Sequence, residues 1–148
     1  MLDAQMKDQI KTVFAPIQKG IELVYAQSSH PDQKELVEML EEISGLNPLI
    51  KTRAENIEAN FPQFHIEAEG KPNGVYFKGI PGGHEFTSLI LAILNSAGLG
   101  KLPDANTALR IKNLKGPIEL TTYISLTCEN CPDVVQALNQ MAIIHGGF

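Results

Sequence analysis

Residues 118–138 have the sequence IELTTYISLTCENCPDVVQAL and carry the strongest structural signal in the chain. Residues 118–124 alternate in the manner of a β-strand with one buried face. Pro132 then stands at the first position of a predicted helix, where proline costs no hydrogen bond. Cys128 and Cys131 lie between these two elements, three positions apart. The stretch therefore predicts a strand, a Cys-x-x-Cys turn and a helix.

The two cysteines are suited to disulfide exchange. Cys128 lies where the dipole and unpaired N–H groups of a helix stabilise a thiolate, which lowers its pKa from about 8.5 toward about 7 or below. Cys131 follows about one helical turn later, within reach of a mixed disulfide on Cys128. We expect Cys128 to be the nucleophile and Cys131 the resolving thiol. Glu129 is expected to disfavour the thiolate and to keep the couple reducing, near about −270 mV.

Two other roles for the cysteines stay open. A structural zinc site needs four nitrogen or sulfur ligands, but the four histidines, His30, His65, His84 and His145, are scattered without a second close pair. Two cysteines that merely pack in a core are also compatible with the spacing. The combination of strand, Cys-x-x-Cys, proline and helix favours redox chemistry over both.

The first hundred residues predict a helix, a strand, a helix, three short strands and a further helix. The predicted strands are 21–25, 49–52, 63–67 and 74–78, and the helices follow the apolar spacing of Met6 to Ile17, Leu36 to Ile43 and Phe86 to Ala97. This order implies an α/β protein with a mixed sheet flanked by helices, as in a thioredoxin-like fold. Pro62 stands where such a fold places a cis-proline loop.

A helix, a strand, a turn, a proline and a helix recur after residue 100, which predicts an internal repeat. The matching segments are 20–23 with 116–120, and His30-Pro31-Asp32 with Cys131-Pro132-Asp133. We predict tandem thioredoxin-like units, the first at 1–100 and the start of a second, truncated unit at 101–148. The first carries Gln27-Ser28-Ser29-His30 in place of the Cys-x-x-Cys motif, so it has no redox cysteines. We expect a piece of a longer protein, with a swapped or partly open second unit.

The composition is that of a folded globular chain, with 43% hydrophobic and 20% charged residues. A net charge of −5 without a basic stripe makes nucleic acid a poor partner. The apolar run Leu89 to Leu94 falls short of the roughly 20 residues that cross a bilayer, so no membrane association is expected. The first residues lack a secretory pattern, which favours a cytoplasmic location.

Residues 83–89 (GHEFTSL) and 128–139 (CENCPDVVQALN), together with the paired units, resemble the amino-terminal domain of the flavoprotein subunit of bacterial alkyl hydroperoxide reductase. The resemblance runs along the whole chain. It implies a tethered electron carrier in which only the second unit is redox-active. It also implies a downstream module with FAD and NAD(P)H that supplies electrons, and a peroxiredoxin whose disulfide receives them. The chain itself is expected to bind no cofactor and no metal.

The resemblance assigns roles to individual residues. Cys128 and Cys131 match the redox pair, and Glu85 matches an acid of the first unit that lies near them. From the sequence alone, Glu85 is an acid in the first turn of a helix, which complements the helix dipole. The resemblance adds a catalytic role, in which Glu85 accepts the proton released when Cys131 attacks. Glu129 departs from the family pattern, because well-known members have histidine there.

Two alternative functions follow from the same features. A free-standing protein disulfide oxidoreductase would use the same pair on general protein disulfides. A non-catalytic module would use the thiol-free first unit as a docking surface or as the interface of a homodimer.

Overall fold

The computed structural model describes residues 2–146, so Met1, Gly147 and Phe148, at the outer ends of the two predicted units, lie outside the described residues. Within that range the chain forms four strands, five α-helices and one short 3-10 turn. In chain order these are α1 (Ala4–Phe14), β1 (Ile21–Gln27), α2 (Gln33–Ser44), β2 (Ile50–Glu58), β3 (Gln63–Ala68), β4 (Lys71–Lys78), the 3-10 turn (Gly83–Glu85), α3 (Phe86–Ser96), α4 (Ala105–Lys112) and α5 (Cys131–His145).

The four strands form one mixed sheet in the order β2-β1-β3-β4. β1 is parallel to β2, whereas β3 is antiparallel to both β1 and β4. Helix α2 makes the crossover between β1 and β2, because parallel neighbours cannot be joined by a tight hairpin. The predicted mixed sheet flanked by helices is therefore confirmed.

Helices α1, α2 and α3 share one hydrophobic core with the sheet. Every second side chain along β1 and β3 enters that core from one face of the sheet. These side chains are Ile21 and Leu23 of β1 and Phe64 and Ile66 of β3. The helices contribute Ile10, Phe14, Leu36, Met39, Leu40, Ile43, Leu89, Ala92 and Ile93. Ala142 of α5 belongs to the same core, and α5 packs directly on α3 and β4. The helix that carries the cysteines is thus joined to the first predicted unit by apolar packing.

An ion-pair network joins β1, β2 and β3 through side chains that alternate with the core residues. Arg53 donates to Glu22 at 2.9 Å and to Glu67 at 3.0 Å, and His65 Nε2 lies 2.8 Å from Glu67 Oε2. The hydrogen bond to Glu22, with the charge of Glu67, raises the pKa of the exposed Arg53 guanidinium. This network accounts for His65 as a structural residue of the sheet.

The structure shows that the predicted strand at 118–124 is wrong. These residues adopt no regular secondary structure, and most of their side chains are exposed. A strand requires a neighbour that pairs with its N–H and C=O groups, and no strand among residues 2–146 pairs with this segment. An alternating sequence alone does not form a strand here.

Two smaller differences concern a strand end and a proline. β2 continues to Glu58, beyond the predicted end at Thr52, because its pairing with β1 extends to Gln27. The peptide bond before Pro62 is trans, and the cis bond among the described residues precedes Pro117.

Candidate functional site

Cys128 and Cys131 are joined by a disulfide bond, with their Cα atoms 5.5 Å apart. Helix α5 begins at Cys131, with Asn130 as its N-cap residue, and Pro132 and Asp133 follow in the first turn. Both residue types are favoured there, since proline lacks the N–H that would be left unpaired and the carboxylate complements the helix dipole. The two sulfurs therefore stand at the positive end of α5.

One backbone N–H group at the start of α5 is directed at the first sulfur. The N–H of Cys131 donates to Cys128 Sγ at 3.2 Å. The first N–H groups of a helix have no partner within it, so the sulfur occupies a position that stabilises negative charge. Both cysteines are half-buried, whereas Glu129 and Asn130 between them are exposed. The pair is thus partly accessible from outside.

The loop that precedes the disulfide is attached to the 3-10 turn at Gly83–Glu85. The N–H of His84 donates to the carbonyl oxygen of Leu126 at 3.1 Å. Gly83 has a φ of +53°, and a Cβ atom on it would lie 2.8 Å from the same oxygen. The close approach therefore requires glycine at this position. It places the turn that ends in Glu85 against the segment that leads to Cys128.

Glu85 is buried, with 2% of its surface exposed. Its Oε1 accepts a hydrogen bond from the Ser88 hydroxyl at 2.7 Å, and Gln136 Nε2 of α5 donates to the Ser88 oxygen at 3.2 Å. Its Oε2 is buried and has no hydrogen-bond partner among residues 2–146. A carboxyl group that only complemented a helix dipole would remain in water, since burial of a charge is costly.

A groove of about 1290 Å³ lies beside α5, between β4 and the segment 117–124. Glu85 and Val135 both line it. Val135 follows Cys131 by four residues, which places the two on the same face of α5. Glu85 therefore lines the same groove as Val135, which lies about one turn along α5 from Cys131.

The structure brings the predicted site residues together to different degrees. It joins Cys128 to Cys131, and it links Glu85 to their helix through Ser88 and Gln136. Sequence reasoning missed Ser88 and Gln136 as members of the site. The one signal for Ser88 was a serine three residues after an acid in an apolar helix.

The histidines do not gather around the cysteines. In the matching turn of the first predicted unit, His30 Nδ1 accepts a hydrogen bond from the N–H of Asp32 at 3.1 Å, which is a local turn contact. Within residues 2–146 no group of three or more His, Cys, Asp or Glu side chains is arranged to hold a metal ion.

None of the helices among residues 2–146 has the length and apolar character needed to cross a membrane.

Comparison with known proteins finds relatives that match almost the whole chain. It is 40% identical over 145 residues to the alkyl hydroperoxide reductase protein AhpF of Pseudomonas aeruginosa, in a match that covers 98% of this chain and 28% of that protein. AhpF of Staphylococcus aureus strain Mu50 is 41% identical over the same length. A crystal structure of the amino-terminal "NTD_N/C domain" of Enterococcus faecalis AhpF superposes with a TM-score of 0.85 at 26% identity, covering 99% of this chain and 77% of that one. This chain is homologous to the amino-terminal domain of AhpF.

The sequence matches show homology, whereas a superposition at low identity shows only a shared fold. The chain spans 28% of the length of the AhpF proteins that it matches. A protein disulfide oxidoreductase from Aeropyrum pernix superposes with a TM-score of 0.81 at 18% identity over 99% of this chain and 72% of that one, which shows a shared fold. No family model matches the chain. The resemblance to the amino-terminal domain of AhpF is therefore confirmed by its relatives, and the division into two units stays a prediction.

Proposed function

We propose that this domain is a dithiol/disulfide electron carrier that takes electrons from the dithiol of a flavin module and passes them to the disulfide of a peroxiredoxin. The observation that carries the proposal is the disulfide at the start of α5, with Cys128 Sγ accepting the N–H of Cys131. FAD and NAD(P)H would bind to the downstream module of the longer chain. A reducing compartment such as the cytoplasm would suit this cycle.

The exchange proceeds in two steps. In the reduced domain the Cys128 thiolate attacks one sulfur of the partner's disulfide, whose S–S bond breaks as a mixed disulfide forms. The partner's other sulfur leaves as a thiolate and takes up a proton. Cys131 then loses its proton and attacks the sulfur of Cys128, which restores the intramolecular disulfide and releases the partner's second sulfur. Two electrons pass to the partner, and the flavin module's dithiol later reduces the domain again.

Glu85 is the proposed acceptor of the proton that Cys131 loses. Its burial, its unpartnered Oε2 and its place in the groove beside Val135 of α5 support this role. Proton transfer would be direct or pass through one water in the groove, since general bases act over hydrogen-bond distances. The relatives' name, alkyl hydroperoxide reductase, supports a peroxiredoxin as the electron acceptor.

The test compares two disulfide substrates. The 148-residue chain is reduced with dithiothreitol, freed of it, and mixed either with an oxidised peroxiredoxin or with insulin. We expect the wild-type chain to reduce the peroxiredoxin much faster than insulin, and the Cys128→Ser variant to reduce neither. Equal rates on both substrates would favour a general disulfide oxidoreductase. A wild-type chain that reduces neither substrate would leave only the docking role.

A further inference from the structure

Ser88 is a polar residue enclosed in an apolar helix. It lies in the first turn of α3, whose sequence is FTSLILAILNS, and its side chain is fully buried. A buried hydroxyl needs hydrogen-bond partners, and Ser88 has two. It donates to Glu85 Oε1 at 2.7 Å and accepts from Gln136 Nε2 at 3.2 Å.

The directions of these two bonds follow from the chemistry of the groups. The amide nitrogen of a glutamine is a donor only, and a serine hydroxyl has a single hydrogen. Because Gln136 donates to the Ser88 oxygen, the hydrogen of Ser88 is directed to the carboxylate. The bonds therefore run in one direction, from Gln136 on α5 through Ser88 on α3 to Glu85.

This arrangement makes the two oxygens of Glu85 different. Oε1 is held by Ser88, whereas Oε2 is buried without a partner among the described residues. Oε2 is therefore the oxygen that is free to receive a proton. It belongs to a side chain that borders the groove with Val135, one turn after Cys131 on α5.

We infer that Ser88 and Gln136 are positioning residues, which hold the Glu85 carboxylate with Oε2 ready to take the proton of Cys131. This inference rests on the proposed function and deepens it. Cys131 Sγ transfers its proton to Glu85 Oε2 and then forms the S–S bond with Cys128. Ser88 stabilises the carboxylate before the transfer, and Gln136 keeps that carboxylate aligned with the helix of the dithiol.

Other ionisable groups face the same groove and bear on the pH dependence of the reaction. Tyr76 and Lys78 of β4 and Glu119 and Tyr123 of the segment 117–124 line it, and His84 precedes Glu85 in the chain. All of these remain in every variant proposed below. A difference between variants therefore reports on Ser88, Gln136 and Glu85.

The experiment separates the two thiol steps with a small disulfide, 5,5′-dithiobis(2-nitrobenzoate). Attack by Cys128 releases the first thionitrobenzoate, and attack by Cys131 on the mixed disulfide releases the second. Stopped-flow absorbance on the reduced 148-residue chain follows both phases across a pH series. The second phase alone requires the proton of Cys131 to leave.

Ser88→Ala and Gln136→Leu should slow the second phase and leave the first unchanged. Loss of a hydrogen bond to a charged group should slow the second phase about tenfold near neutral pH for Ser88→Ala, and change the pH profile of that phase alone. Ser88→Thr keeps the hydroxyl and should restore the rate. In a Glu85→Gln background, Ser88→Ala should have no further effect, since coupled residues are not additive.

Gln140→Leu is the matched control for Gln136→Leu. Gln140 lies one turn further along α5 and donates to the carbonyl oxygen of Lys101 at 2.8 Å, so its loss removes a tether of the same helix without touching Glu85. We expect unchanged second-phase kinetics in this control.

Three outcomes would decide against the inference or its basis. An unchanged second phase in Ser88→Ala and Gln136→Leu, with a slow one in Glu85→Gln, would refute the positioning role and leave the proposed function standing. Equal slowing by Gln136→Leu and Gln140→Leu would show a structural tether only. Should the wild-type chain release no second thionitrobenzoate, the proposed function itself would fail. If Ser88→Ala does not fold, Gln136→Leu decides the matter.

Discussion

The hydrogen bond from the Cys131 N–H group to Cys128 Sγ distinguishes the two sulfurs at the scale of single residues. Cys128 receives the stabilisation that the helix start offers to a negative charge, and so we expect it to be the sulfur that attacks a partner's disulfide. Cys131 belongs to the helix itself. The two residues should therefore fail in different ways when each is replaced.

Replacement of either cysteine with serine should abolish turnover but leave different products. Cys131→Ser should accumulate a covalent adduct with a disulfide partner, because the mixed disulfide on Cys128 is no longer resolved. Cys128→Ser should form no adduct. Mass spectrometry of the unreduced mixtures distinguishes the two, and an adduct on Cys128→Ser instead would reverse the assigned roles.

Glu129→Gln should favour the thiolate of the neighbouring cysteine. Glu129 is exposed, and exposed charges contribute at most about 1 kcal/mol, so the titration midpoint of the Cys128 thiol should fall by less than about one pH unit. A more stable thiolate stabilises the reduced form, so the reduction potential should become less negative. Thiolate absorbance at 240 nm and a glutathione redox titration measure the two quantities.

Glu129→Asp keeps the charge and serves as the control for Glu129→Gln. If both variants behave as the wild type, the carboxylate has no influence on the couple, and the reducing potential expected from the sequence loses its basis.

At the scale of secondary structure elements, the Gly83–Glu85 turn holds the loop that leads to the disulfide. Gly83→Ala should destabilise the fold by about 1–2 kcal/mol, because an L-residue is strained in the left-handed region. Its Cβ would also approach Leu126 O to 2.8 Å. Urea denaturation gives the change in the free energy of unfolding.

The adjacent glycine is a suitable control. Gly82 has a φ of −93°, and a Cβ atom on it would meet nothing within 4 Å. Gly82→Ala should therefore cost much less than Gly83→Ala. Equal losses would mean that the contact with Leu126 does not determine the cost.

The segment 118–124 should exchange its amide hydrogens much faster than β1. Amides outside a hydrogen-bonded ladder are protected only weakly, and this segment pairs with no described strand. β1 lies between two neighbours in the sheet. Hydrogen exchange with peptide-level mass spectrometry gives the comparison, and equal protection would show that the segment does form a strand in solution.

The success and failure of the sequence predictions have one physical explanation. Helices α2 and α3 and strands β1 and β3 have local signals, namely apolar spacing and turn residues at their ends, and the structure confirms them. The segment 118–124 has the same local signal, but a strand depends on a distant partner. The Ser88–Gln136 contact joins residues 48 positions apart in the chain, which no local pattern reports, whereas Glu85 and Ser88 are only three positions apart.

At the scale of the whole molecule, α5 and the first predicted unit share one core. Ala142 is buried among residues of that core, whereas Ala137 on the same helix is exposed. Ala142→Asp would bury an unpaired charge, so it should lower the stability of the entire chain by more than about 2 kcal/mol. Far-UV circular dichroism during thermal unfolding measures the loss.

Ala137→Asp introduces the same charge on α5 where the side chain still reaches solvent, and it should cost much less. If Ala142→Asp melts α5 alone while the sheet keeps the wild-type transition, the two predicted units are thermodynamically independent. A single shifted transition would show that they unfold together.

The contact between Gly83 and Leu126 also limits how this site can be transplanted. A protein engineer who grafts residues 125–140 onto another scaffold would carry over both cysteines and their helix. The graft would leave behind the turn that supports the loop and Glu85, the proposed acceptor of the Cys131 proton. A working transplant must include residues 83–88 as well, held at the same spacing from the grafted helix.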